Sequence, residues 1–351
     1  MRAETTGGAA AAPEMVVNCT AALKRILAFV LLAAAIPAAA AEPLFVPLIQ
    51  KDFPDPFVLR VGDTFYAYAT NGERGNVQTA VSKNLADWTL AGDAMPELPP
   101  WAKKGNTWAP EVMRVGTNYV LYFTARSRKR DLQCIGAAVA ASPQGPFASS
   151  AEEPLVCQPE LGGTIDASPF RDSDGKLYLY FKNDGNNPNA RKPVQLWVQP
   201  LAPDGLSVTG EATSVLRGRL AWERGLIEAP TMIHAPAGYF LFFSGDDFAW
   251  QREQRLSAYS VGYATCDGPL GPCREAGDKP FLYSFSSAEG CLSGPGHQAV
   301  FNVGERWFIA FHAWSATRGC RPLDPVRWFY VAPLLWKDGK PEIGIGLRPS
   351  H

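Results

Sequence analysis

The sequence predicts an all-β chain folded as a five-bladed β-propeller, and an internal repeat is the main reason. Five segments each begin with a polar residue and run through an apolar strand, a Gly-containing turn and an aromatic strand. The leading polar residues are Asp55, Glu111, Asp166, Glu228 and His297, which lie 56, 55, 62 and 69 positions apart. Repeats with a period of roughly this size indicate propellers or solenoids.

The strands expected within each repeat support the same fold. Phe65, Ala67 and Ala69 alternate with Tyr66, Tyr68 and Thr70, which places the two sets on opposite faces of a sheet. Further strands are expected at 77–82, 134–142, 194–201 and 259–266. Two strands from each copy and one or two from each intervening piece make a four-stranded blade. A β-sandwich is the competing all-β fold, and the long, even period argues against it.

The first 41 residues are typical of a secretory signal peptide. Lys24 and Arg25 precede a short apolar run that ends in small residues at 38–41. The Ala/Gly/Thr-rich stretch before Met15 is consistent with a mis-assigned start. An uncleaved membrane anchor is the alternative, and the shortness of the apolar run argues against it. We therefore expect a secreted or periplasmic protein, free of the membrane after cleavage, with one propeller domain over 42–351.

Export changes the interpretation of the cysteines. Without Cys19 of the leader, six cysteines remain, and an even number in an oxidising compartment favours disulfides. Local closure favours Cys266 with Cys273, and Cys134 with Cys157 and Cys291 with Cys320 would complete the set. A metal cluster is the alternative, but no CxxC spacing supports it.

Composition excludes some partners. The formal net charge is −1, and no run of Lys and Arg points to nucleic acid. With 46% hydrophobic residues, the 351-residue chain can bury a large core, and we expect a monomer.

Three of the leading residues suggest a reaction. Asp55, Asp166 and Glu228 come from different repeats, and the inner strands of a propeller bring such positions together at one end of the central channel. Glycoside hydrolysis needs one ionised carboxylate to activate water and one protonated carboxyl to donate to the leaving oxygen. A third carboxylate raises the pKa of the acid, because a like charge disfavours ionisation.

The same segments resemble those of family 43 glycoside hydrolases, which are inverting five-bladed propeller enzymes acting on arabinofuranosides and xylosides. The resemblance rests on FPDPFVLRVGDTFYAYAT, SKNLADW, WAPEV, IDASPFRDSDGKLYLYF, IEAPTM, GPGHQAVF and VRWFYVAPLLWKDGKP, in this order. It implies that Asp55 is the general base, Glu228 the general acid, and Asp166 the carboxylate that tunes and orients the acid. The base and acid carboxyls should then lie about 6.5–9.5 Å apart.

The resemblance implies α-L-arabinofuranosides as the first choice of substrate, then β-xylosides, with galactofuranosides as a further option. The chain ends soon after the fifth repeat, without the β-sandwich that many family xylosidases carry, which favours arabinosides. A carbohydrate-binding propeller without catalysis is the alternative of a different class, but all three carboxylates are present. A retaining, fructan-cleaving propeller is disfavoured, because FPDPF replaces its WxNDPN-like segment.

Aromatic and basic residues complete the expected site. Trp108 and Trp314 offer faces on which a sugar ring can stack, although aromatic residues also fill propeller cores. Arg327 resembles a late family Arg that reaches the centre of the ring, where it would pair with a carboxylate or bind a sugar hydroxyl.

His297 is the polar residue of the fifth repeat. A structural role is one interpretation, and the resemblance implies the other, a hydrated structural Ca²⁺ in the channel that His297 approaches through water. Calcium prefers oxygen ligands, so direct ligation by His is not expected. The chemistry itself requires no cofactor. His234 and His312 belong to no motif, and Glu111 is expected to be structural.

Overall fold

The computed structural model describes residues 42–250 and 256–350. The expected leader, including Cys19, lies outside these residues. Within them, no helix has the length and apolar character needed to cross a membrane.

The described chain forms five antiparallel sheets, one for each repeat, and a short additional hairpin. The first two blades contain β1 (Phe57–Val61), β2 (Thr64–Ala69), β3 (Gln78–Ser82), β4 (Trp88–Asp93), β5 (Ala102–Val115), β6 (Asn118–Ser127) and β7 (Gln133–Ala140). The next two contain β8 (Thr164–Arg171), β9 (Leu177–Asn183), β10 (Gln195–Leu201), β11 (Thr213–Arg217), β12 (Ile227–Ala235), β13 (Gly238–Gly245), β14 (Ser260–Cys266) and β15 (Cys273–Glu275). The chain ends with the hairpin of β16 (Phe285–Ser287) and β17 (Gly290–Leu292), then the fifth blade of β18 (Gly296–Val303), β19 (Arg306–Ala316), β20 (Pro322–Lys337) and β21 (Lys340–Ile343).

The first strand of each blade faces the axis. The strands β1, β5, β8, β12 and β18 each contact the next, and β18 contacts β1, so that the ring is closed. Each of these strands turns back into the second strand of its blade; in the first turn, Gly62 has a φ of 59°, which favours glycine. The predicted five-bladed propeller is confirmed, and four of the blades have four strands whereas the second has three.

Five apolar clusters fill the interfaces between neighbouring blades. One joins Tyr68 of the first blade to Phe123 of the second, and another joins Phe65 to Phe308 of the fifth. Tyr68 and Phe65 belong to the same strand, so its alternating side chains serve opposite interfaces, as the sequence predicted. This arrangement leaves the axis free for polar residues.

Three disulfide bonds join the six cysteines of the described residues. They link Cys134 with Cys157, Cys266 with Cys273 and Cys291 with Cys320, which are the pairs favoured by the sequence. They tie β7 to the segment after it, close the β14–β15 hairpin, and tie β17 to the chain beyond β19.

Candidate active site

The channel end of each blade has the same backbone irregularity. At this end, one residue per blade has a positive φ. It lies within a register break of the first strand in four blades and two residues before β1 in the remaining one. We call these the bulge residues: Asp55, Ala109, Asp166, Ala229 and His297, with φ of 55°, 45°, 59°, 53° and 48°. Bulges of this kind re-aim side chains and leave backbone groups outside the ladder.

A side chain from the preceding blade accepts the hydrogen bond of each freed bulge N–H. The acceptor is Thr70 Oγ1 for Ala109 (2.9 Å) and Thr124 Oγ1 for Asp166 (3.2 Å). It is Ser244 Oγ for His297 (2.8 Å) and His312 Nδ1 for Asp55 (3.0 Å). The fold thus satisfies groups that would be costly to bury alone.

The bulges correct the alignment of the repeats. By backbone conformation, the equivalents of Asp55 and Asp166 are Ala109 and Ala229, so Glu228 precedes the bulge position by one residue. Glu228 therefore shares its position with Trp108 of the second blade, since each directly precedes a bulge residue. Both positions face the same cavity. The sequence alignment was therefore wrong at two of the leading carboxylates: Glu111 lies two residues after its bulge residue, and Glu228 lies one residue before.

Asp55 is held by four neighbours. Its Oδ1 accepts a hydrogen bond from Arg327 at 2.9 Å, and its Oδ2 accepts one from the Thr70 hydroxyl. The Nδ1 atoms of His297 and His312 lie 3.4 and 3.3 Å from Oδ1. Burial acts to raise the pKa of Asp55, but the charges of Arg327 and then His297 outweigh it and hold that pKa well below its ordinary value. The carboxylate is therefore ionised.

Glu228 is enclosed by two donors. Lys182 Nζ lies 2.9 Å from its Oε2, and the Tyr259 hydroxyl donates to its Oε1 at 2.7 Å. Burial acts to raise the pKa of Glu228, but Lys182 and Tyr259 lower it overall. Tyr259 reaches this place because Gly296 has no side chain: a Cβ there would lie 2.1 Å from the tyrosine ring.

Asp166 accepts a hydrogen bond from the Ala229 N–H at 3.0 Å. Its pKa is raised to about 6, mainly by burial; His297 acts to lower this pKa and the charge of Glu228 acts to raise it. The order is the reverse of the one expected from the sequence, because Lys182 stabilises the ionised form of Glu228 directly. A proton taken up by this pair in the free protein therefore binds Asp166 in preference to Glu228.

His312 contacts the backbone of Asp55, the expected base, although the sequence assigned His312 no role. Because its Nδ1 accepts the Asp55 N–H, the neutral ring carries its hydrogen on Nε2, which has no partner among the described residues. Burial, then the charge of Arg327, lowers the pKa of His312 to about 4. Its ring also stacks on Tyr259 at 5.9 Å between centroids, so one buried pair of rings adjoins both Asp55 and Glu228.

A cavity of about 490 Å³ opens above these groups, within the size range of small-molecule sites. It is lined by Asp55, Thr70, Trp108, Arg126, Gln133, Ile165, Asp166, Lys182, Asp184, Asn186, Asn187, Pro188, Leu226, Glu228, Asp247, Phe248, Tyr259, His297 and Arg327. Six of the seven substrate-facing and catalytic residues expected from the sequence are among them.

The exception is Trp314, which does not line the cavity and packs against Phe248, a residue that does. Its ring stacks on that of Phe248 at 6.4 Å, and its indole N–H donates to the Phe248 carbonyl at 2.8 Å. Phe248 lines the cavity in its place, with the Arg327 guanidinium 5.1 Å from the ring centroid. No repeat or motif marked Phe248, because it lies in the loop beyond β13.

The groups near His297 do not offer a direct ligand set for Ca²⁺. Both Asp55 oxygens already accept hydrogen bonds from Arg327 and Thr70, and the described residues contain no cluster of three metal-binding side chains. A hydrated ion held through water stays a prediction, and no reaction step depends on it.

Carboxyls that meet in one cavity at the axis of a five-bladed propeller are typical of glycoside hydrolases that work with a pair of acids. The family model described as "Glycosyl hydrolases family 43" matches residues 46–341. The chain belongs to this family.

Individual relatives agree with this placement. "Arabinoxylan arabinofuranohydrolase" of Paenibacillus polymyxa is 28% identical over 69% of this chain and 39% of that protein, so the chain spans well under half of it. "Beta-D-galactofuranosidase xynD" of Aspergillus niger is 30% identical over 76% of this chain and 75% of that protein. The crystal structure of a thermostable family-43 glycoside hydrolase has a TM-score of 0.73 at 26% identity, covering 86% of this chain and 96% of that one.

Proposed function

We propose that this protein hydrolyses α-L-arabinofuranosides of plant polysaccharides in a single displacement with inversion. The observation that carries the proposal is that Asp55 and Glu228 line one cavity, with Asp55 fixed in its ionised form by Arg327. An ionised carboxylate facing a second carboxyl is the equipment that an inverting hydrolase needs.

In the proposed reaction, Asp55 takes a proton from a water molecule as that water attacks the anomeric carbon. Glu228, in its protonated form, gives its proton to the departing glycosidic oxygen as the bond to carbon breaks. The Asp166–Glu228 pair supplies this proton, and Asp166 orients the acid through the hydrogen bond from Ala229, the neighbour of Glu228. Afterwards the proton returns from Asp55 to the pair through solvent.

The walls of the cavity fit a sugar. Trp108 and Phe248 provide aromatic surface, and Arg327 lies where it can hold both Asp55 and a hydroxyl group. A β-D-galactofuranoside is the second candidate, because the relative carrying that name matches three quarters of both chains. Both substrates present a five-membered ring, so they differ in the exocyclic part that the cavity must accept.

Export is part of the proposal. Three disulfides among the described residues suit an oxidising compartment. We therefore propose that residues 1–41 direct secretion and that the propeller acts outside the cytoplasm on oligosaccharides or polysaccharides.

The test uses aryl α-L-arabinofuranosides, β-D-xylopyranosides and β-D-galactofuranosides, followed by arabinan and arabinoxylan. We expect the highest kcat/KM on the arabinofuranoside and, by NMR of early product, inverted configuration at the anomeric carbon. Retention would overturn the mechanism, and preference for another sugar would overturn the substrate.

Two variants assign the carboxyls. Glu228→Gln should lose hydrolysis of glycosides with poor leaving groups far more than of those with activated leaving groups, because the latter need no acid. Asp55→Ala should be inactive with water, and azide should restore turnover from a matching glycosyl fluoride or aryl glycoside, giving a glycosyl azide of inverted configuration. Equal losses on both leaving groups, or full activity of either variant, would remove the assigned role.

A further inference from the structure

Lys182 departs from the pattern that surrounds the channel. The side chains that accept the bulge N–H groups in four of the interfaces hold equivalent places, each opposite the residue before a bulge. They are Thr124, Ser244 and His312 on the second strands and Thr70 directly after β2. In the third blade this place, opposite Ile165, is occupied by Lys182. An ammonium group has no acceptor, so it cannot serve the Ala229 N–H of the next blade.

The third blade meets this need in another way. The Ala229 N–H is accepted by Asp166 Oδ2 at 3.0 Å, which is a bulge carboxylate rather than a second-strand side chain. Lys182 therefore does not contact a bulge N–H as the residues at the same place in other blades do. Its Nζ instead lies 2.9 Å from Glu228 Oε2. Because a lysine stands where the other blades have an acceptor, Asp166 must accept the Ala229 N–H and Glu228 gains the ammonium group as its partner.

The position of Lys182 is energetically demanding. Its side chain is fully buried in β9, a strand whose seven residues are all buried. A buried ammonium costs several kcal/mol to desolvate unless it is paired well. Such a residue is not needed for the fold, because Thr and Ser serve the same place in other blades.

All charged and titratable groups facing Glu228 act on its proton. Lys182 from β9 and the Tyr259 phenol before β14 contact its two oxygens, whereas Asp166 from β8, Asp184 beyond β9 and His297 from β18 act through their charge. Burial raises the pKa of Tyr259 well above its ordinary value, so the phenol remains a donor. Both Glu228 oxygens therefore face donors in the free protein.

We propose that Lys182 is a positioning residue for the acid: it holds Glu228 as a carboxylate in the free enzyme and thereby sets the pH at which activity falls on the alkaline side. This inference rests on the proposed role of Glu228 as general acid. When the pair carries a proton, that proton lies on Asp166 until a bound glycoside provides Glu228 with a hydrogen-bond acceptor. The directions of the pKa changes of Asp166, Glu228 and Lys182 agree with this order.

The experiment compares the pH dependence of kcat/KM in Lys182→Met and the wild type. Removing an adjacent positive charge raises a carboxyl pKa by about 1 to 3 units. The alkaline limb of the pH profile, where activity falls as pH rises, should therefore move to higher pH by about that amount. Lys176→Met is the matched control, because Lys176 is an exposed lysine in the turn between β8 and β9, where it pairs with Asp174 and not with the site. Its alkaline limb should coincide with that of the wild type.

Lys182→Gln keeps a neutral donor beside Glu228 and serves if the Met variant does not fold. It should also move the alkaline limb upward. A purely structural role would lower activity at every pH without moving the limb, and a role limited to sugar binding would raise KM with the limb in place; either result overturns the inference.

The Glu228→Gln variant separates a failure of the proposed function from a failure of the inference about Lys182. If this variant hydrolyses glycosides with poor leaving groups normally, the proposed function fails. If it is inactive on them while the limb of the Lys182 variants stays in place, only the inference about Lys182 fails.

Discussion

Arg327 allows the strongest test of how the base is kept ionised. Its guanidinium donates to Asp55 at 2.9 Å, and the two side chains are 17% and 11% exposed. With an effective dielectric constant of about 20, opposite unit charges at that distance attract by about 6 kcal/mol. This is an upper bound, because the exposed fraction lets water screen the pair. Measured shifts beside an opposite charge are about 1 to 3 pKa units, or about 1.4 to 4 kcal/mol.

The direction of the expected shift in the pH profile follows from the role of Asp55 as the base. Asp55 must be ionised to accept a proton from water, so activity falls on the acid side as pH drops through its pKa. In Arg327→Met, burial is no longer offset by the arginine, and the acid limb of kcat/KM should move upward by about 1 to 3 units. The assay is a pH–rate profile on an aryl arabinofuranoside, with enzyme stability checked at each pH.

Arg306→Met provides the control, since Arg306 is an exposed arginine of the same blade that lies 5.2 Å from the centroid of the Phe308 ring. It should keep the acid limb of the wild type. An unchanged acid limb in Arg327→Met, with the fold intact, would show that Arg327 does not govern the ionisation of Asp55.

Three further predictions concern stability and assembly of the site. Burial, together with the nearby charge of Glu275, raises the pKa of Glu223 to about 7; the stability that its protonated form provides is lost as pH rises from about 4.5 through 7. Glu223→Gln should therefore raise the melting temperature at pH 8 but not at pH 4, and an equal change at both would contradict this. Gly296→Ala should displace the Tyr259 ring and lower both kcat and stability, whereas Gly277→Ala, where a Cβ meets open space, should change neither. Thiol titration of unreduced protein without residues 1–41 should find no free cysteine, against six after reduction in denaturant.

Much of the fold was readable because each repeat obeys simple periodicities. The aromatic strands alternate between two blade interfaces, as Tyr68 and Phe65 illustrate, and the turn at Gly62 marks a hairpin. The order and spacing of the leading polar residues then indicated a closed ring with a site at its centre. The alternation within each strand and the spacing between copies can both be read directly from one sequence.

The remaining parts of the site depend on contacts between distant strands. His312 looked like an ordinary strand residue, because its partner Asp55 is 257 positions away. Tyr259 can contact Glu228 only because Gly296 has no side chain that would collide with the tyrosine ring. Lys182 did carry a signal, since a lysine that follows the apolar and aromatic run at 177–181 needs a partner if it is buried, but the identity of that partner required the fold.

The hydrogen bonds that close each bulge have a consequence for how such a ring can be altered. Thr70 belongs to the first blade, yet it holds the backbone of Ala109 in the second, and the same offset recurs at Ser244 and His297. A blade transplanted whole into another propeller would therefore arrive with its own acceptor and without the one that its bulge requires. The exchangeable module is the second half of one blade together with the first strand of the next. Chimeras cut at that boundary should keep their active-site geometry.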